Sequence, residues 1–85
     1  MSNVVTVYSK PARIQCTMTY RALDKAGVSY TVVDVTENTA ALEYVTEDLG
    51  YSAAPIVVVD DHNHWSGFRP DRIASLEGNK AQEQG

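Results

Sequence analysis

The stretch Val4-Val5-Thr6-Val7-Tyr8-Ser9-Lys10-Pro11-Ala12-Arg13-Ile14-Gln15-Cys16 decides the fold, because its period changes half-way along. Val4 to Tyr8 are β-branched or aromatic, which favours a strand. Ser9-Lys10-Pro11-Ala12 then breaks it. Beyond the break, Ile14, Met18, Ala22 and Ala26 recur every four residues with Leu23 beside them, which predicts a helix with this stripe as its apolar face. Gly27 falls where a helix C′ residue would. Tyr30-Thr31-Val32-Val33-Asp34-Val35 reads as a second strand. A strand, a crossover helix and a strand form one unit, with parallel strands and a right-handed crossover.

The remainder extends this unit. Thr36-Glu37-Asn38-Thr39 offers several N-caps, and Ala41, Tyr44, Val45, Asp48 and Leu49 follow at helical spacing up to Gly50. Ile56-Val57-Val58-Val59 is a short apolar run between Pro55 and Asp60-Asp61, the pattern of a central strand covered on both faces. Asp60-Asp61-His62-Asn63 reads as a turn and His64-Trp65-Ser66 as a return strand. Pro70 suits the first position of a last helix reaching Glu77, with Ile73 and Leu76 inward. The expected order is βαβ-αββα: one α/β domain over residues 1–77 with a mixed sheet of four strands and three helices, then a disordered tail over 78–85.

Composition narrows the function classes. With 85 residues, 44% hydrophobic and 21% charged, the chain fits one small globular domain. No apolar run approaches the length of a membrane span, and no basic-then-apolar leader opens the chain. A single cysteine, Cys16, excludes a disulfide framework and a cysteine-based metal cluster. A reducing, cytoplasmic setting is expected. The net charge of −4 is unevenly spread. Residues 1–33 carry +3, from Lys10, Arg13, Arg21 and Lys25 against Asp24, while residues 34–63 carry −7 with no Lys or Arg. An acidic chain with scattered cations is a poor nucleic-acid binder.

The chemistry-bearing residues collect at one expected place. Pro11 and Cys16 flank the start of the first helix, and Pro55 opens the central strand, so they meet at the end of the sheet where α/β sites lie. A cysteine near a helix N-terminus feels the positive end of the dipole, which favours the thiolate, the nucleophile of thiol–disulfide exchange. The other reading of Cys16 is an inert small side chain packed under the helix. Pro55 is open between a cis and an ordinary trans proline. In Trp65-Ser66-Gly67-Phe68-Arg69-Pro70, Trp65 and Phe68 supply buried area or a partner contact, Gly67 permits a turn, and Arg69 is a candidate to bond backbone carbonyls. Lys10 either docks an acidic peptide or is an ordinary solvated lysine. His62 and His64 lack a third ligand nearby, so no metal and no other cofactor is expected.

Three segments carry a resemblance. Tyr8-Ser9-Lys10-Pro11-Ala12-Arg13-Ile14-Gln15-Cys16, Ala53-Ala54-Pro55-Ile56-Val57-Val58 and His64-Trp65-Ser66-Gly67-Phe68-Arg69-Pro70-Asp71-Arg72-Ile73 resemble the NrdH-type redoxins, small glutaredoxin-like proteins of the thioredoxin fold. The resemblance implies a thioredoxin-like domain. It implies reduction by thioredoxin reductase and electron donation to the disulfide of a class Ib ribonucleotide reductase. It puts Cys16 at the resolving position of the family's Cys-x-x-Cys pair and Arg13 where the attacking cysteine stands. It makes Pro55 the cis-proline beside the site, with the backbone of Ala54 pairing an extended substrate and Lys10 and Pro11 lining the same groove. A monomer is expected, with redox activity impaired by Arg13. The alternative function is a redox-inactive module that docks the reductase partners.

Overall fold

The computed structural model describes residues 5–60 and 62–76. Strand β1 is Val5–Ser9, helix α1 is Ile14–Ala26 and strand β2 is Tyr30–Asp34. Helix α2, Thr39–Glu43, runs directly into a π-helical turn, Tyr44–Asp48. Strands β3, Ile56–Asp60, and β4, Asn63–Ser66, follow, and helix α3 occupies 70–76. The expected last residue of α3, Glu77, and the tail over 78–85 lie outside the described residues.

The sheet order is β2-β1-β3-β4. β1 pairs parallel with β2, from Val5 opposite Tyr30 to Ser9 opposite Asp34, as a crossover unit requires. β3 runs antiparallel to β1, with Tyr8 opposite Ile56, and β4 antiparallel to β3, with Val57 opposite Trp65. The end of β1, the start of β3 and the end of β4 therefore share one edge of the molecule. The loop into α1 leaves from that edge.

Alternation along the strands divides the core. Val5, Val7, Val57 and Trp65 join Leu23 of α1 with Ile73 and Leu76 of α3. Ile56 joins Val35, Ala41, Val45, Cys16 and Ala54 in a second cluster, against which Tyr8 packs. Burying one such aliphatic side chain contributes about 1.5–3 kcal/mol.

The apolar face of α1 differs from the sequence expectation. Ile14 is 77% exposed and Met18 40% exposed. The buried line is Cys16, Thr19 and Leu23, with Ala22 and Ala26 only partly covered. Thr19 is buried because its Oγ1 donates to the Gln15 carbonyl at 2.8 Å, which satisfies the hydroxyl inside the helix itself. A polar residue thus took the place that a hydropathy count gave to Ile14 and Met18. α1 ends as expected: Gly27 adopts φ 74°, and its N–H donates to the carbonyls of Leu23 and Asp24.

The second helix is also altered. Asn38 caps it by accepting the Ala41 N–H at 3.0 Å. Beyond Glu43 the ladder widens, so that Leu49 N–H reaches the Tyr44 carbonyl five residues back at 3.1 Å. Strand β3 is buried at Ile56 and Val57 but only half-buried at Val58 and Val59, so its cover on both faces stops half-way along. β2 ends at Asp34, one residue before the expected limit.

Candidate functional site

Three segments converge at the shared sheet end: the loop from Lys10 into α1, the Ala53–Pro55 approach to β3, and the turn after β4. Pro11 and Ala12 form the first turn and are exposed. Ala12 stands at φ 63°, a left-handed conformation costing a side-chain-bearing residue about 1–2 kcal/mol. Next comes Arg13, the N-cap residue of α1, at φ −96° and ψ 123°. Its carbonyl accepts from Thr17 N–H at 3.3 Å, but its side chain makes no capping bond. The guanidinium is exposed and, among the described residues, has no ion-pair partner. One turn further in, Cys16 is a free thiol with 2% of its surface exposed.

The Ala54–Pro55 peptide bond is cis, which settles the choice left open at this proline. Ala54 and Pro55 are both buried. The carbonyls on either side of Ala54 are held: Ser66 Oγ donates to Ala53 O at 2.7 Å, and Gly67 N–H donates to Pro55 O at 2.8 Å. Ala54's own N–H and C=O have no partner among the described residues. Gly67 sits at φ +88°, a conformation only glycine takes readily, so the turn that delivers these bonds depends on it. Phe68 N–H completes the turn by donating to Gln15 Oε1 in α1 at 3.3 Å.

Lys10, Leu42, Thr46, Tyr51 and Ala54 line a shallow, open groove beside the cis peptide. Tyr51 closes one flank, with its hydroxyl 2.8 Å from His64 Nδ1. Tyr8 packs against Tyr44 below, with ring centroids 5.8 Å apart. Burial, with Tyr44 nearby, pushes the Tyr8 phenol up from its ordinary value.

The Trp65–Pro70 segment joins β4 to α3. Trp65 is buried, with the Arg72 guanidinium carbon 5.0 Å over its ring. Arg72 Nη2 also donates to Asn63 Oδ1 at 2.9 Å, tying α3 to β4. Pro70 opens α3 as expected. Arg69 bonds no backbone carbonyl among the described residues: it makes a bidentate pair with Asp71, at 3.2 and 3.1 Å, because that carboxylate lies two residues away at the start of α3. The Arg69 hydrogen bond holds the Asp71 carboxyl below its usual range. Both partners are largely exposed, so solvent and salt screen the pair and it contributes little to stability. His62 and His64 do not converge with a third ligand, and no group of three metal-ligating side chains occurs among the described residues.

Of the sequence-expected site, Lys10 and Ala54 line one groove, Cys16 packs in the same core cluster as Ala54, Pro11 and Arg13 lie in the loop that leaves the same end of the sheet, and Ser66 and Gly67 bind directly to the cis-proline loop. Sequence reasoning missed Gln15 and Tyr51. Gln15 is a polar residue on an exposed turn, and its partner is 53 positions away, so no local pattern marks it.

Comparison with known proteins agrees with this geometry. The glutaredoxin family profile matches residues 5–65. The chain belongs to the glutaredoxin family. Its relatives there are NrdH-like: it is 37% identical over 73 residues to the glutaredoxin-like protein NrdH of Lactococcus lactis subsp. cremoris, covering 86% of this chain and 99% of that one. It is 39% identical over 72 residues to the Gene 56 protein of Mycobacterium phage L5, covering 85% of this chain and 70% of the relative. The solved structure of the NrdH-redoxin from Escherichia coli, titled for its thioredoxin-like activity profile, superposes with a TM-score of 0.78 at 33% identity. That match covers 85% of this chain and 92% of the other and confirms the thioredoxin-like fold. Thiol–disulfide redox chemistry is the function of this family of glutaredoxin-like redoxins. Among the described residues no helix is long and apolar enough to cross a membrane.

Proposed function

We propose that this chain is an NrdH-type redoxin by descent, built to pass electrons from thioredoxin reductase to a class Ib ribonucleotide reductase, with its redox activity impaired at Arg13. One observation carries the reading: an exposed Arg13 stands at the N-cap position of the helix whose buried Cys16 is the only thiol in the sequence. In the family's exchange, an exposed thiolate attacks the substrate disulfide and releases one substrate thiol. The resolving thiol then attacks the enzyme sulfur of the mixed disulfide and releases the second. Arg13 occupies the place of the first thiol, so no attack begins, and one cysteine cannot store an intramolecular disulfide. The setting is cytoplasmic and the working form a monomer.

The test is disulfide reduction coupled to thioredoxin reductase, run on the native chain and on Arg13→Cys. Negligible turnover by the native chain and recovery in the variant are expected. Native turnover close to that of the variant would overturn the reading.

A second function is favoured by the free backbone edge of Ala54: a redox-inactive module that docks the reductase tail. An extended peptide pairs with Ala54, beside the loop that carries Lys10, Pro11 and Arg13. Binding is weak and salt-sensitive, since an exposed ion pair with Arg13 is worth only about 0–1 kcal/mol. Titration with a C-terminal ribonucleotide reductase peptide, followed by NMR, is expected to shift Lys10, Pro11, Arg13, Ala54 and Pro55. Shifts confined to the acidic stretch Glu37–Asp48, or none at millimolar peptide, exclude the docking role.

A further inference from the structure

Three successive residues of one turn reach both walls of the site. Ser66 Oγ and Gly67 N–H hold the carbonyls of Ala53 and Pro55, and Phe68 N–H holds Gln15 Oε1. The first two bonds fix the cis-proline loop, and the third fixes the first turn of α1. That turn has little else to hold it. Its N-cap side chain makes no capping bond, no acidic residue lies in it, and it follows the left-handed Ala12. Gln15 lies between position 13 and Cys16, so anchoring its side chain constrains the backbone that joins them. A Cβ at Gly67 would stand 3.6 Å from Gln15 Oε1, ordinary contact distance, so the turn already lies against this side chain.

We infer that Gln15 is a positioning residue: through Phe68 N–H it sets where position 13 stands relative to Cys16 and to the Ala54 edge. The inference rests on the reading of positions 13 and 16 as the family's redox pair. Gln15 touches no reacting atom. Its action is to keep the first helical turn in the one arrangement in which both positions face the cis-proline loop.

The test uses the Arg13→Cys variant as parent, equilibrated with oxidised and reduced glutathione at high salt. The thiols at positions 13 and 16 lose two protons and two electrons to form a disulfide, and one oxidised glutathione becomes two glutathione molecules. Gln15→Met removes the acceptor at similar volume, and Gln15→Glu keeps one. One neutral hydrogen bond is worth about 0.5–1.5 kcal/mol, so Gln15→Met is expected to lower the equilibrium constant for disulfide formation by about two- to thirteenfold. Gln15→Glu is expected to restore it. Ile73→Val, which loosens the core away from the site, should lower stability while leaving the constant unchanged, a separation that a merely structural role for Gln15 would not show. The inference is overturned if Gln15→Met matches its parent, if Gln15→Glu fails to restore it, if Ile73→Val shifts the constant equally, or if the parent forms no intramolecular disulfide. Turnover with thioredoxin reductase judges the functional reading separately, because the glutathione equilibrium exists whether or not the reductase recognises the protein.

Discussion

Arg13 works against the helix it begins, and replacing it should stabilise the protein. Its φ of −96° and ψ of 123° already suit an N-cap residue, so a capping side chain enters without moving the backbone. Aspartate at this place gains a bond to the N–H of the second or third helical residue, worth about 1 kcal/mol. Removing a cation from the positive end of the helix and adding an anion there each contribute about 0.3–1 kcal/mol. Together Arg13→Asp should add roughly 2 kcal/mol, with most of the gain surviving even if the dipole contribution is at its lower limit. For a domain of this size that raises Tm by roughly 8–16 °C. Arg13→Ser should gain the cap and lose the cation but add no anion, so it falls between the two. The assay is thermal and urea denaturation of all three proteins at low and high salt. Salt should shrink the advantage of Asp over Ser and leave the cap itself. Equal or lower stability for Arg13→Asp would refute the reasoning, because it would mean that the guanidinium holds the helix start by contacts of its own. The same substitution should weaken docking of an acidic peptide by several-fold, the worth of an exposed ion pair.

The revised face of α1 makes a sharp contrast: Leu23→Ala should cost about 2–5 kcal/mol, while Ile14→Ala and Met18→Ala should each change stability by less than about 0.5 kcal/mol. Equal losses at all three in urea titrations would restore the stripe that hydropathy suggested. Burial first, then its hydrogen bond to Asp24, pushes the Tyr30 phenol up from its ordinary value, and burial raises Tyr8 likewise. Their folded values exceed the unfolded ones, so this stability is complete below about pH 10 and is lost as pH rises through the folded values. Tyrosinate absorbance should show these two ionising after the exposed phenol of a model peptide, and simultaneous ionisation would contradict it. Cys16 should resist intermolecular disulfide formation under mild oxidant, since it is 2% exposed; a dominant band at twice the monomer mass on a non-reducing gel would show it accessible.

Much of the architecture was legible because it rests on periodicity. The run of Val4 to Tyr8, the break at Pro11, and the glycines at 27 and 50 sufficed for strand and helix order. Pro55 and Cys16 were placed by pattern near one end of the sheet, which is where the structure has them. What sequence did not reveal depends on satisfaction of polar groups rather than on hydropathy. Thr19 goes inside because its hydroxyl finds a carbonyl within its own helix, whereas Ile14 and Met18 are left on the outer side of a helix whose sheet-facing line was already filled. The widened turn after Glu43 is similarly hidden. Ala41, Val45 and Leu49 are spaced by four, a little longer than an α-helical turn, and the π turn keeps them together on one side. The bonds from Ser66, Gly67 and Phe68 span the chain, and no window of adjacent residues contains both ends of any of them.

Ala54 offers a visiting chain one donor and one acceptor, flanked by two carbonyls that are already committed. Pairing there has room for a single residue in register, unlike addition to the long side of a sheet. A backbone contact of that kind is blind to the visitor's side chain but not to its amide hydrogen: a proline in register would forfeit one of the two bonds, and a chain forced into a helix could not present them together. Under the docking proposed above, this edge would select extended, proline-free segments, and finer discrimination would fall to side chains beside Lys10, Arg13 and Tyr51.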